Sequence, residues 1–568
     1  MGDQDRRQFI RGVGAGAAVL ATTGWGTALK AMAGGTPDLV VHNAKVYTLD
    51  EAMPRVEGFA VKNGRIIALG ASDEIKGLAT RGVRAFDAQG MTIVPGFIDS
   101  HNHPIGETLL YEVLVGNPFE VEPITIESII DKLRVKAANT QSGYWVEGFF
   151  FDDTKVKDGR KLTAADLDKV STEHPVMVLH RGGHTAYFNH KALTLGKITK
   201  DTPAPVGGSY EKLSNGELSG LVTDTAMFAL RQLGERQKFD AAKKADRALN
   251  GMAHISKEFA RYGLTGVVHS GGSDVSLMME LRRRGLLKHR ANLEIRDENI
   301  DSMMAARIES GFGDEWIRVG ATWEHLVDGS FSERTMALSK PYPGTNYTGN
   351  LTATQDELNA WVEKVYRAGL QPNCHANGDV AIAQVLTAYE RAQSLLPRQN
   401  VRPRITHCTL VNPDLIRRIK ALDAIPLLFT TYAYYNSDKF GFYGEEMMRN
   451  AMAFRSFLDA GVHVAAGSDF FPGPFAPLMG IQGMVTRTGW DGTTWGANQR
   501  VTVAEAVKIN SLYGAYGTHE DDIKGSISVG KLADYVVLAE DPHTIDPSKI
   551  KDIKIVQTVV GGVPSYEA

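Results

Sequence analysis

The chain has 568 residues and a formal net charge of −4; 43% of its residues are hydrophobic and 23% charged. That is a globular composition, long enough for a large core and more than one domain. A sequence pI near 6.5 lacks the basic excess of a nucleic-acid binder, and two cysteines, Cys374 and Cys408, are too few for a disulfide framework.

Residues 1–33 read as a twin-arginine signal peptide and are set apart from the fold. Asp5-Arg6-Arg7-Gln8-Phe9-Ile10 is followed by a weakly apolar Gly/Ala-rich stretch and by Ala31-Met32-Ala33, a small-residue cleavage pattern. Glycines and Thr22-Thr23 break the stretch, so it makes a poor spanning helix. The expectation is export by the twin-arginine machinery to the periplasm or beyond, with no membrane attachment once the signal is cleaved. A homo-oligomer is left open.

Next come short β segments. Residues 38–48 form one, and 58–70 read as two strands around an Asn63-Gly64 hairpin turn. Residues 533–538 and 555–562 at the other end are similar. Both ends are expected to pair into one β-sandwich, 34–90 with 525–568. Between them, strand-like runs alternate with helical patterns: 92–100, 264–269, 291–295, 319–324, 371–375, 404–407, 425–430 and 462–466. Eight alternating units predict an α/β fold, a (β/α)8 TIM-like barrel over 91–524. Roughly 160 residues separate the first two runs, too many for a loop. Residues 110–225 are therefore expected to be an inserted lid subdomain over the barrel mouth.

The chemistry sits at the ends of these runs. Gly96-Phe97-Ile98-Asp99-Ser100-His101-Asn102-His103 closes the first, and positions i and i+2 of a strand face one side. His101 and His103 thus project together, as a divalent metal requires. Glu324, His375, His407 and Asp469 each end a later run. Taken singly, each has an ordinary reading: a hydrogen-bonded histidine, a surface glutamate, or a helix N-cap for Asp469. Six such residues at the ends of five strand-like runs favour a metal centre. Imidazole and carboxylate suit zinc, manganese or iron. Cys374 and Cys408 flank His375 and His407, and strand alternation turns both thiols into the core.

With these residues in view, the chain resembles the amidohydrolase superfamily, and within it the YtcJ-like branch that includes N-substituted formamide deformylases. The motifs behind this are 96–103, Gly183-His184 with Asn189-His190-Lys191-Ala192-Leu193, Asp328-Gly329-Ser330, His375-Ala376-Asn377-Gly378-Asp379, Thr406-His407, Gly467-Ser468-Asp469 and Ala533-Asp534-Tyr535-Val536-Val537-Leu538. The resemblance implies a distorted barrel, one or two divalent metals (Zn2+ expected) and hydrolysis of a C–N bond. Glu324 stands where relatives often carry a metal-bridging carboxylated lysine, and its own carboxylate could bridge instead. Asp224 stands where relatives often have glutamate; its role is open, a helix cap being one reading.

The expected mechanism places one metal on His101, His103 and Asp469 and the second on His375 and His407, with Glu324 and a hydroxide bridging. Asp469 takes and returns the proton. His184, or a metal, polarises the carbonyl of a small-molecule amide, formamide or cyclic amide. Trp145, Arg181, His184 and Tyr432 are candidate substrate contacts. Arg181 could instead serve a structural ion pair, and Phe149-Phe150-Phe151 could line a pocket or fill the lid core. Esterase, lactonase, decarboxylase, hydratase or isomerase chemistry on the same centre stays open, as does a non-catalytic binding role.

Overall fold

The computed structural model describes residues 30–31, 35–205, 208–271 and 274–568. The Arg6-Arg7 motif and the rest of the expected signal peptide, apart from residues 30–31, lie outside the described residues. Among those described, no helix is long and apolar enough to cross a membrane.

Eight parallel strands carry the ligand positions: β1 Phe97–Asn102, β2 Leu264–His269, β3 Arg290–Ile295, β4 Ile317–Thr322, β5 Asn373–Ala376, β6 Arg404–His407, β7 Ile425–Phe429 and β8 Ala465–Gly467. They form two sheets. One has the order β4-β3-β2-β1, and the other runs β5-β6-β7-β8 with the short strand His325–Leu326 at its edge. Hydrogen bonds cross both seams between the sheets. Asp469 N donates to His101 O at 2.9 Å and His103 N to Phe470 O at 3.0 Å. On the far side, Thr322 N donates to Gln371 O at 2.9 Å and Asn373 N to Thr322 Oγ1 at 3.0 Å. Every residue of β1, β2 and β3 is buried, as expected of parallel strands covered on both faces. Helices between them start on side-chain caps, such as Thr354 before Gln355–Arg367 and Asn412 before Pro413–Ala421.

The first strand-like run divides. Thr92–Pro95 does not continue into β1; it pairs with Tyr535–Leu538 and Lys45–Tyr47 in a six-stranded sheet built from both chain ends. The break falls at Gly96, where an added Cβ would lie 2.1 Å from Thr265 Oγ1 of β2. Only glycine lets the chain pass that close, and an unbroken apolar run hides the crossing. A five-stranded sheet, including Leu39–His42, Gly58–Lys62 and Arg65–Gly70, faces the six-stranded one. Val41, Phe59, Val61 and Leu69 of the first pack with Val46, Ile93, Tyr535 and Val559 of the second in one core.

Between β1 and β2 lies a six-stranded mixed sheet in the spatial order Val113–Leu114, Val146–Phe151, Val176–His180, Thr185–Phe188, Leu218–Thr223, Gly208–Lys212. Separate apolar clusters cover its two faces. Cys374 and Cys408 are free and fully buried, and burial pushes the Cys374 thiol up to about 12, as core packing requires.

A buried histidine pair adds a pH-sensitive element to this frame. His269 Nε2 and His289 Nε2 lie 2.8 Å apart, and Ser256 Oγ is 2.9 Å from His289 Nδ1. Burial pushes His269 down to about 3 and His289 down as well, with His269 adding to the effect. Both are neutral in the fold and ordinary in the unfolded chain. Their stabilising contribution is therefore complete above pH ~6.5 and lost as pH falls below it, by up to about 1.4 kcal/mol per pH unit per group. Urea midpoints should fall between pH 7.5 and 5, and a His269→Gln, His289→Gln variant should show a flatter dependence.

Candidate metal centre

The ends of β1, β4, β5, β6 and β8 bring six predicted ligands together. His101 Nε2 and His103 Nε2 each lie 3.3 Å from Asp469 Oδ1, and 3.6 and 3.7 Å from Glu324 Oε1. The other oxygen of the same glutamate, Oε2, lies 3.5 Å from His375 Nδ1 and 3.8 Å from His407 Nε2. Glu324 stands between two histidine pairs and offers one oxygen to each. His101-His407-Asp469, His101-His103-Glu324 and Glu324-His375-His407 each place three ligand atoms within 4.8 Å of one another. Nε2 of His101 and Oε2 of Glu324 are buried with no hydrogen-bond partner. A buried imidazole nitrogen beside a carboxylate, close yet not hydrogen-bonded, is what a donor set for a cation leaves.

The electrostatics agree. Burial opposes ionisation of Glu324 and Asp469, yet the surrounding imidazoles hold both below the ordinary carboxylate range. Burial likewise opposes a charge on His101, but Glu324 and Asp469 outweigh it and push the ring up to about 9. His407 is pushed down to about 3 by burial and by neighbouring His375. Two anionic carboxylates in a sealed pocket call for compensating positive charge, and the donors present fit a divalent ion.

Two further aspartates hold the ligands. Asp99 accepts from the backbone N–H of His101 and Ser468, from Ser468 Oγ and from Asn102 Nδ2, at 2.6–3.2 Å, and so ties the end of β1 to the end of β8. Asp328 accepts from the N–H of Ala337, Asn377 and Gly378, each at 2.8 Å. Below the ligands, Arg404 Nη2 meets Glu294 Oε1 at 3.1 Å, both side chains fully buried. Sequence reasoning missed these roles. Asp99 and Asp328 sit inside the quoted motifs, and a charged residue within an apolar strand run marks Glu294. His407 and Asp469 have φ of 71° and 52°, a left-handed backbone that non-glycine residues adopt mostly where the surroundings demand it.

The remaining predicted residues divide. His184 Nδ1 pairs with Asp224 Oδ1 at 3.0 Å. That bond pushes the imidazole up to about 9 against burial, with Glu333, Asp224 and Asp469 adding their charges. Asp224 is therefore the partner of His184, not a helix cap; its helix begins from Thr223 without a side-chain cap. An Asp224→Asn variant should return the His184 pKa from about 9 toward ~6.5, measured by NMR titration of its ring protons. Tyr432 is buried and stacks at 3.8 Å on Phe429, which stacks at 4.4 Å on His407. It walls the centre.

Trp145 and Arg181 depart from the expected substrate contacts. Trp145 is buried in the lid core, donates to Leu233 O at 2.7 Å and packs edge-on against Phe188. Arg181 is buried beneath the lid. Its Nε donates to Phe471 O at 3.0 Å, Nη1 to Tyr435 OH, and Nη2 to Pro118 O at 3.4 Å. With every guanidinium nitrogen engaged by protein oxygens, it clamps the mixed sheet to the loop after β8. Phe151 fills the lid core, and Phe150 packs against Phe470 and Phe471. Asp152, Asp153 and His180 also cluster as acids and histidine. Lys155 and Lys439 lie 2.9 and 3.1 Å from the Asp152 carboxylate, so ammonium groups already fill the cation's place.

An α/β fold whose parallel strands end in four histidines and two carboxylates is the scaffold of metal-dependent hydrolases, and comparison with known proteins agrees. The chain belongs to the amidohydrolase family, whose model matches residues 84–566. It is 26% identical over 548 residues to the N-substituted formamide deformylase of Arthrobacter pascens, covering 93% of this chain and 98% of that protein. It is equally 26% identical over 555 residues to YtcJ of Bacillus subtilis (strain 168), covering 93% and 99%. Among solved structures, an uncharacterized metal-dependent hydrolase from Pyrococcus horikoshii OT3 shares the fold with a TM-score of 0.69 at 22% identity, over 90% of this chain and 99% of that one.

Proposed function

We propose that this protein is a metal-dependent hydrolase that cleaves the C–N bond of a small amide, formamide or cyclic amide. The observation that carries the reading is Glu324, with Oε1 toward His101 and His103 and Oε2 toward His375 and His407. The likeness to a formamide deformylase supports the choice of bond. In the same reading the two parallel sheets, joined across both seams, are the halves of a (β/α)8 barrel, the mixed sheet is its lid, and Arg6-Arg7 directs export.

In this reading His101, His103, His375, His407, Glu324 and Asp469 would hold one or two divalent ions, Zn2+ by preference, with Glu324 offering an oxygen to each histidine pair. When bound, they would supply a water whose pKa falls from about 15.7 to near 7. The protein's own groups do the rest. Asp469, facing both His101 and His103, receives the proton of the attacking water and passes it to the leaving nitrogen. His184, kept charged by Asp224, donates a hydrogen bond to the developing oxyanion. Tyr432 and Phe429 supply an apolar wall that limits water around the reacting carbonyl. The test is a screen of N-formyl and N-acyl amines with and without chelator. Amine release that a chelator stops and a divalent metal restores supports the proposal. Ester cleavage without amide cleavage would contradict it.

A further inference from the structure

We infer that Glu333 is the recognition site for a cationic group on the substrate, so that the amides cleaved are ones bearing an ammonium; this rests on the hydrolase reading above. Glu333 lies in the loop after β4, beneath the lid turn 180–184. Both its carboxylate oxygens are buried with no hydrogen-bond partner. The lid turn closes directly over it, since a Cβ added to Gly182 would lie 2.2 Å from Glu333 Oε1.

The nearest candidate donor is His180, whose Nδ1 lies 3.9 Å away. That nitrogen already accepts the Gly182 N–H at 3.0 Å, while Nε2 faces Asp153 Oδ1 at 3.3 Å. The Gly182 N–H thus occupies the Nδ1 lone pair, and no hydrogen bond runs from His180 to Glu333. His184 is engaged by Asp224. Elsewhere in the interior a buried acid is either paired with Lys or Arg or, like Asp99 and Asp328, held by several hydrogen bonds. Asp152 has Lys155 and Lys439, Glu294 has Arg404, and Asp534 has Arg290. Among the described residues Glu333 has no Lys or Arg ion pair and no hydrogen bond, only the imidazole of His180 at 3.9 Å, and a carboxylate out of water is stable only when well paired.

Its position is that of a substrate contact. Its charge reaches His184 and the Tyr432 hydroxyl, the two groups that also feel Asp469. It lies two residues after Phe331, whose ring packs 6.3 Å from Tyr432 and 6.5 Å from Phe429, the ring stacked on His407, while Gly182 lies against its Oε1. The rings of Tyr432 and Tyr443 pack on Phe331, two residues before Glu333, and aromatic faces favour a cation. A carbonyl held at the ligands would carry its ammonium toward this carboxylate, and the lid turn would close over the pair.

The test uses the metal-loaded protein and two probes of one shape, butylammonium and 1-butanol, titrated by calorimetry. Wild type is expected to bind butylammonium at least about tenfold more tightly, and Glu333→Gln to abolish that preference at unchanged metal content. Gly182→Ala, which crowds Oε1 and leaves the charge in place, should weaken butylammonium and not butanol. No preference in wild type would overturn the inference, and so would a preference that persists in Glu333→Gln. Release of amine from N-acyl amines that carry an ammonium tests the hydrolase reading separately. Its absence beside an intact ammonium preference would sink the hydrolase reading and leave the Glu333 site standing.

Discussion

Replacing Asp469 with asparagine is expected to lower kcat for amide hydrolysis by about 10²–10⁴-fold, with metal content close to that of wild type. The side chain lies 3.3 Å from both His101 and His103, and its backbone is locked to β1 through the bond to His101 O. Asparagine keeps an oxygen for the ligand position but cannot take up a proton. The loss should therefore appear in kcat with KM little changed. Undiminished turnover with metal retained would remove Asp469 from the proton path.

The second large effect concerns Glu324. Glu324→Gln leaves one oxygen where two are needed, so one histidine pair loses its shared carboxylate. Outer-shell substitutions alone cost about 10–100-fold in metal affinity, and loss of a bridging ligand should exceed that. The expected result is one metal or fewer per chain and amine release at background. Retention of two metals would show that the histidine pairs and Asp469 suffice without a bridge.

The centre was largely legible in the sequence because its ligands obey a local rule. His101 and His103 share a face by strand alternation, and Glu324, His375, His407 and Asp469 follow the ends of strand-like runs. Their convergence at 3.3–3.8 Å needed only the strands to lie side by side. The eight strand positions were readable for the same reason, each being a short apolar run between helical patterns.

What escaped was set by distant contacts. Nothing near Arg181 announces that Phe471 O and Tyr435 OH, nearly three hundred residues on, will absorb its guanidinium. Trp145 reads as a binding aromatic until Leu233 and Phe188 bury it. Thr92–Pro95 looks continuous with β1 because its partners come from the opposite end of the chain. Asp224 was legible as a departure from relatives, but its pairing with His184 arises from adjacent antiparallel strands, Thr185 facing Thr223. Glu333 has no motif of its own, and the lack of any hydrogen bond to its carboxylate shows only once residues 180–184 fold against it.

The account turns on two metal sites sharing one glutamate, so the most direct measurement is the number of divalent ions bound per chain in the purified protein, by elemental analysis, compared with Glu324→Gln. Two ions in wild type and one or fewer in the variant is the predicted result. A single ion in wild type, unchanged in the variant, would contradict it.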